Sequence, residues 1–227
     1  MTMKKMLARR PRVLRILTVL ATTALLDPLS RTDAAPRKAR AAPVRASRPP
    51  PVRLDYASYG VALSGDVLVH PGATCSTLNP CILGGGGGLA LRGGYRWAGP
   101  WYLGGAYQVS RTDSSNLYRL PTLQQLRVEL RYMVDFGFRT VPYATFGGGA
   151  VAYGNEFGVE TGGGTLFVGA GAELQLSRLA VLGVGARYQP MLLAGFVDTA
   201  SYERPAGVAH YGAIELQLEI RTEARPR

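Results

Sequence analysis

Residues 214–220 read Ile-Glu-Leu-Gln-Leu-Glu-Ile, with apolar and polar side chains taking strict turns. A period of two belongs to a β-strand with two unlike faces. The same alternation recurs and predicts eight strands, at 55–67, 82–97, 100–111, 122–136, 140–154, 162–177, 180–191 and 208–221. All are longer than the ~5–6 residues usual in soluble domains. At about 3.3 Å per residue and a tilt near 40°, about thirteen residues climb roughly 33 Å, enough to cross the hydrocarbon of a bilayer. The connections alternate, long at 68–81, 112–121, 155–161 and 192–207, short at 98–99, 137–139 and 178–179. With an even strand count both termini fall on the short-turn side, the periplasmic side of a chain inserted from the periplasm.

Alternation alone does not say which face is inside. Leu89, Leu91, Tyr95 and Trp97 share a face opposite Gly88, Ala90, Arg92, Gly94 and Arg96. Trp101, Leu103, Tyr107 and Val109 oppose Gly104, Ala106, Gln108 and Ser110, and Leu126, Val128, Leu130, Tyr132 and Val134 oppose Arg127, Glu129, Arg131 and Asp135. Later strands set Leu166, Val168, Leu174 and Leu176 against Glu173 and Gln175, and Leu182, Val184 and Tyr188 against Arg187 and Gln189. The fifth strand, with Gly147-Gly148-Gly149, has no readable orientation.

The composition of the polar face decides the direction. Arg92, Arg96, Arg127, Arg131 and Arg187 stand against Glu129, Asp135, Glu173, Glu215 and Glu219, set among small residues. Glycines weaken a water-facing strand. In a narrow lumen they make room for long side chains, whose opposite charges must neutralise one another where water is scarce. The apolar face therefore points outward, and Tyr95, Trp97, Trp101, Tyr132 and Tyr188 suit an interfacial aromatic girdle.

The net charge of +11 resides in the leader. Residues 1–53 hold thirteen Lys and Arg against Asp27 and Asp33, whereas residues 54–227 hold thirteen Arg against thirteen acids. A neutral body excludes nucleic acid as the partner. Lys4, Lys5, Arg9, Arg10 and Arg12 precede a fourteen-residue apolar core, Val13–Leu26, too short to span a bilayer. Residues 1–41 read as a signal peptide, cut after Ala34 or Ala41, and residues 42–53 as a Pro/Arg-rich periplasmic linker. The barrel then covers 54–221, with a short tail at 222–227.

On the final alternating strand and stretches such as Pro142-Tyr143-Ala144-Thr145-Phe146-Gly147-Gly148-Gly149, the chain resembles the small eight-stranded outer-membrane β-barrels, the group of OmpX and the membrane domain of OmpA. The resemblance implies an all-β, antiparallel up-and-down transmembrane barrel in the outer membrane of a Gram-negative cell. Its partners would be outer-membrane lipid, lipopolysaccharide and, during insertion, the barrel-assembly machinery. The family usually ends on an aromatic residue, whereas this strand ends Glu219-Ile220 and continues to Arg227.

Little in the chain points to catalysis. Cys75 and Cys81 read as a disulfide that shapes the first long loop. His70 is the only further ligand near them, too few for a metal. Gly84–Gly88 is followed by a strand rather than Gly-Lys-Ser/Thr and a helix, which excludes a phosphate loop. A barrel deacylase of lipid A resembles its family by a His-x-Ser pair, but here His210 is followed by Tyr211-Gly212. No cofactor is implied. The expected role is structural or surface-binding, with a closed lumen and Tyr118 and Tyr202 as candidate loop contacts. The alternatives are a lipid-modifying enzyme and a low-conductance pore.

Overall fold

The computed structural model describes residues 55–75, 79–112, 117–155 and 158–224. The leader, the linker, the end of the tail and the loop residues between these ranges lie outside them. Eight long strands form a closed barrel: β1 (Asp55–His70), β2 (Gly86–Arg96), β3 (Trp101–Thr112), β4 (Thr122–Met133), β5 (Thr140–Asn155), β6 (Gly158–Gln175), β7 (Ala180–Leu193) and β10 (Gly207–Ala224). The short β8 (Phe196–Val197) and β9 (Glu203–Arg204) pair within the last long connection. Each barrel strand runs antiparallel to its neighbours, and β10 closes the ring against β1, with Val61 opposite Leu218. Closure leaves the barrel itself no free sheet edge for another chain to pair with.

Three expectations change. The connection between β5 and β6 is a tight one, since Asn155 still pairs with Gly158. β2 starts at Gly86, because Ile82 and Leu83 leave the wall and bury themselves inside. β10 continues to Ala224, where Asp55 pairs with it. The Asp55 carboxylate accepts from the Tyr95 hydroxyl at 2.8 Å and the Ala98 amide at 2.7 Å, fixing the start of β1 to the β2–β3 turn.

β5 takes its orientation from burial. Tyr143, Thr145, Val151 and Tyr153 point inward, Ala144 and Phe146 outward. Around the ring, Leu63, Leu89, Leu91, Leu126, Val128, Leu166 and Ile214 are exposed. The polar partners of the alternation are buried: Arg92, Gln108, Gln125, Arg127, Glu129, Arg131, Glu173, Arg187, Gln189, Gln217 and Glu219.

Candidate functional site

Every barrel strand sends alternate side chains into the lumen, so residues far apart in sequence meet at one level. Arg131 on β4 lies at the centre of the lower layer and is 1 % exposed. It donates to Glu173 of β6 at 2.9 Å, Glu219 of β10 at 3.3 Å, Glu129 at 3.1 Å and the Gln217 side-chain oxygen at 3.0 Å. The rings of Tyr102 and Tyr143 lie 4.8 and 4.9 Å from its guanidinium carbon, adding cation–π attraction in a dry setting. Glycines create that space. A Cβ on Gly94 or Gly104 would lie 2.4 or 2.3 Å from the Tyr102 hydroxyl, and one on Gly171 2.5 Å from the Tyr143 ring.

One level up, Glu215 of β10 gathers Arg127 at 3.0 Å, Arg92 at 3.8 Å and Arg187. Arg92 also pairs with Glu129 and, at 3.5 Å, Glu219, and Arg187 reaches Asp66 at 3.6 Å. Arg221 pairs with Glu173. Arg92, Arg127, Arg131, Arg187 and Arg221 thus face Asp66, Glu129, Glu173, Glu215 and Glu219, a set with no net charge. Above them an uncharged layer continues: Gln108 accepts from Arg187 at 3.0 Å, and Gln189 donates to Gln125 at 2.7 Å.

Two residues named from the sequence stand elsewhere. Asp135 is exposed beyond the end of β4, where its carboxylate accepts from the Gly137 amide at 2.8 Å and shapes the turn. Arg96 is half-buried at the short-turn mouth and enters none of the ion pairs among the described residues. The aromatic set also divides. Trp101 and Tyr132 meet edge-on at 5.0 Å, and Tyr95 and Trp97 at 5.5 Å, around the β2–β3 turn. Tyr188 lies in the half of β7 leading to Leu193, stacked on His210.

At the long-connection end the lumen turns apolar. Ile82 and Leu83 pack onto Leu123, Val151, Tyr153, Met191, Leu193 and Tyr211. The Tyr153 hydroxyl donates to the Ile82 carbonyl at 2.6 Å. The Cys75–Cys81 disulfide, Cα atoms 4.8 Å apart, stands directly before this plug. Tyr118 is not a surface contact. It is buried, and its hydroxyl donates to Glu160, which also accepts from Asn155 at 2.7 Å and from the Thr199 amide at 3.2 Å. Burial, reinforced by this carboxylate, pushes the Tyr118 phenol above its ordinary value. Tyr202 remains part-exposed, under the guanidinium of Arg204, whose buried partner is Asp198 at 2.8 Å.

Comparison with known proteins agrees with this architecture. Neisserial surface protein A superposes with a TM-score of 0.55 at 13 % identity, over 74 % of this chain and 97 % of that one. The outer membrane protein OprG from Pseudomonas aeruginosa gives 0.56 at 11 % identity, over 75 % and 97 %. The chain has the fold of the small eight-stranded outer-membrane barrels. No family model matches it, and no curated protein does either.

Some lumen residues escaped the sequence reading. Asp66 and Arg221 follow the parity of Ser64 and Glu219 and were legible in principle. Tyr102, which shares the parity of Gly104 and Gln108, was legible in the same way, whereas Tyr143 was not, because its glycine-rich strand has no readable orientation until its neighbours across the strands are located.

Proposed function

We propose that the chain is an integral outer-membrane barrel with both termini in the periplasm, a closed and salt-bridged lumen, and a structural or surface-binding role exercised through its long connections. One observation carries the reading: charges fill the inside of this barrel while leucine, valine and isoleucine cover its outside. In water that arrangement would expose a large apolar surface and bury ions at a cost of several kcal/mol each. In a bilayer the outer face is solvated by acyl chains, and the lumen charges answer one another.

The same network supports closure. Between Arg92, Arg127, Arg131, Glu129, Glu215 and the Tyr143 and Phe167 rings, about 10 Å³ stays open, room for about one water. Above this level Ile82 and Leu83 fill the bore. Partners therefore meet the connections rather than pass through the barrel.

Heat-modifiable migration in detergent gels, with protease protection of the strands in vesicles, tests the membrane assignment. A protein that stays in the soluble fraction and shows no shift would overturn it. Planar-bilayer recording tests closure: stable openings that Arg127→Ala or Glu129→Ala abolishes would make the lumen a pore. A mass shift of lipid A on expression would mark an enzyme instead.

A further inference from the structure

Below the Arg131 layer the lumen widens at the short-turn end into a cavity of about 600 Å³. Four guanidinium groups line it, from Arg96, Arg139, Arg178 and Arg221, against the carboxylates of Asp135 and Glu173. Both carboxylates are engaged. Glu173 holds Arg131 and Arg221, and Asp135 caps the Gly137 amide. Among the described residues none of the ion pairs includes Arg96, Arg139 or Arg178. Arginine does not give up its proton in proteins, so half-buried Arg96 keeps its charge with no ion pair of its own among the described residues, Glu173 and Asp135 acting on it only at longer range.

We infer that this vestibule binds a phosphate group, carried by the headgroup of an anionic phospholipid or present as free phosphate. The inference rests on the membrane insertion proposed above. Guanidinium forks match phosphate oxygens in paired hydrogen bonds, and several of them converging suit a phosphate better than a carboxylate, which offers fewer acceptors. The rim favours the lipid source. Trp97, Tyr132 and Phe138 line the same cavity and are exposed on its outer side, so an entering headgroup leaves its acyl chains beside aromatic rings at the depth where such rings meet the interface.

The test is native mass spectrometry of the whole protein released from micelles containing phosphatidylglycerol or phosphatidylcholine with the same acyl chains. Phosphatidylglycerol should be retained about tenfold better, and Arg96→Gln/Arg178→Gln should remove most of that preference. Arg178 is exposed in the turn before β7, so Arg178→Gln alone leaves the wall intact and should still weaken retention about threefold. Arg111→Gln/Arg119→Gln, the same charge change at the other end, should leave it unchanged. Calorimetric titration with inorganic phosphate in phosphatidylcholine vesicles separates the sources: heat lost in the double variant assigns free phosphate, and no heat beside a retained lipid preference assigns the headgroup. Equal retention of both lipids that Arg96→Gln/Arg178→Gln leaves unchanged, together with no heat, in protein that still shows heat-modifiable migration, overturns the site. Loss of that migration in the unaltered protein would count against the membrane reading instead.

Discussion

Arg127 on β4 and Glu215 on β10 meet at 3.0 Å across the full width of the barrel. In the closed order β1-β10-β7-β6-β5-β4-β3-β2 the two strands stand opposite each other, so this contact spans a diameter. A bore crossed in this way is a packed core made of charges. Such a core differs from an apolar one in how it fails. Removing one partner leaves the other buried and unanswered, which costs about 3–5 kcal/mol, whereas replacing both by apolar groups is often neutral.

Arg127→Met should therefore lower the stability of the folded barrel more than Arg127→Met/Glu215→Leu does. Arg92 and Arg187 also lean on Glu215, so the double variant should recover only part of the loss. Urea unfolding in vesicles, followed by tryptophan fluorescence, gives both values. A loss in the double variant equal to the sum of the losses in Arg127→Met and Glu215→Leu would mean that the pair is not energetically coupled.

Arg131→Met should be the most damaging change in the lumen, by about 3–5 kcal/mol. It withdraws the shared partner of Glu129, Glu173 and Glu219 and the cation between two tyrosine rings. The loss of heat-modifiable migration at moderate temperature reports it. A variant as heat-resistant as the parent would show that the remaining arginines suffice.

Gly94→Ala should destabilise the barrel by about 1–3 kcal/mol through overpacking. The new methyl would sit 2.4 Å from the Tyr102 hydroxyl and 2.5 Å from its ring carbon. Tyr102→Ala in the same chain should relieve the clash. The measurement is again vesicle unfolding of the two variants side by side. A tyrosine truncation that brings no relief would place the clash with the Leu103 carbonyl, at 2.5 Å, instead.

The fold was readable because a strand with one apolar and one polar face leaves a mark every second residue, and Ile214–Ile220 shows it without interruption. The direction of the faces was readable because Arg92 shares a parity with Gly88, Ala90 and Gly94, and Arg187 with Gly183 and Gly185, and because no strand carries a lysine. What stayed hidden depended on register. Nothing local to Tyr143 says that Gly171 pairs beside it, yet that pairing makes room for a ring of unread orientation to turn inward and support Arg131. Ile82 and Leu83 look like the start of a strand, and only the apolar inner faces of β4, β5, β7 and β10 explain why they leave it. Asp135 carried the parity of the lumen but stood beyond the last paired residue of β4, where a turn claims its carboxylate.

Cys75→Ser/Cys81→Ser should leave the barrel and its plug intact and loosen the loop that leads into the plug. A disulfide closing so short a loop contributes at most about 2 kcal/mol, small beside the hydrogen-bonded wall. Its effect falls on the loop that presents Ile82 and Leu83 to the apolar end of the lumen. Burial of those two side chains and the Tyr153 bond to the Ile82 carbonyl persist without the bridge, but the chain before them gains freedom. Limited proteolysis of intact vesicles should then cut between residues 71 and 81 faster, while unfolding of the barrel shifts little. Ile82→Asp, which puts an unpaired carboxylate among Leu123, Tyr153 and Met191, should expel the plug even with the disulfide present. Equal cutting rates in parent, Ile82→Asp and the double serine variant would mean that the loop is held from elsewhere.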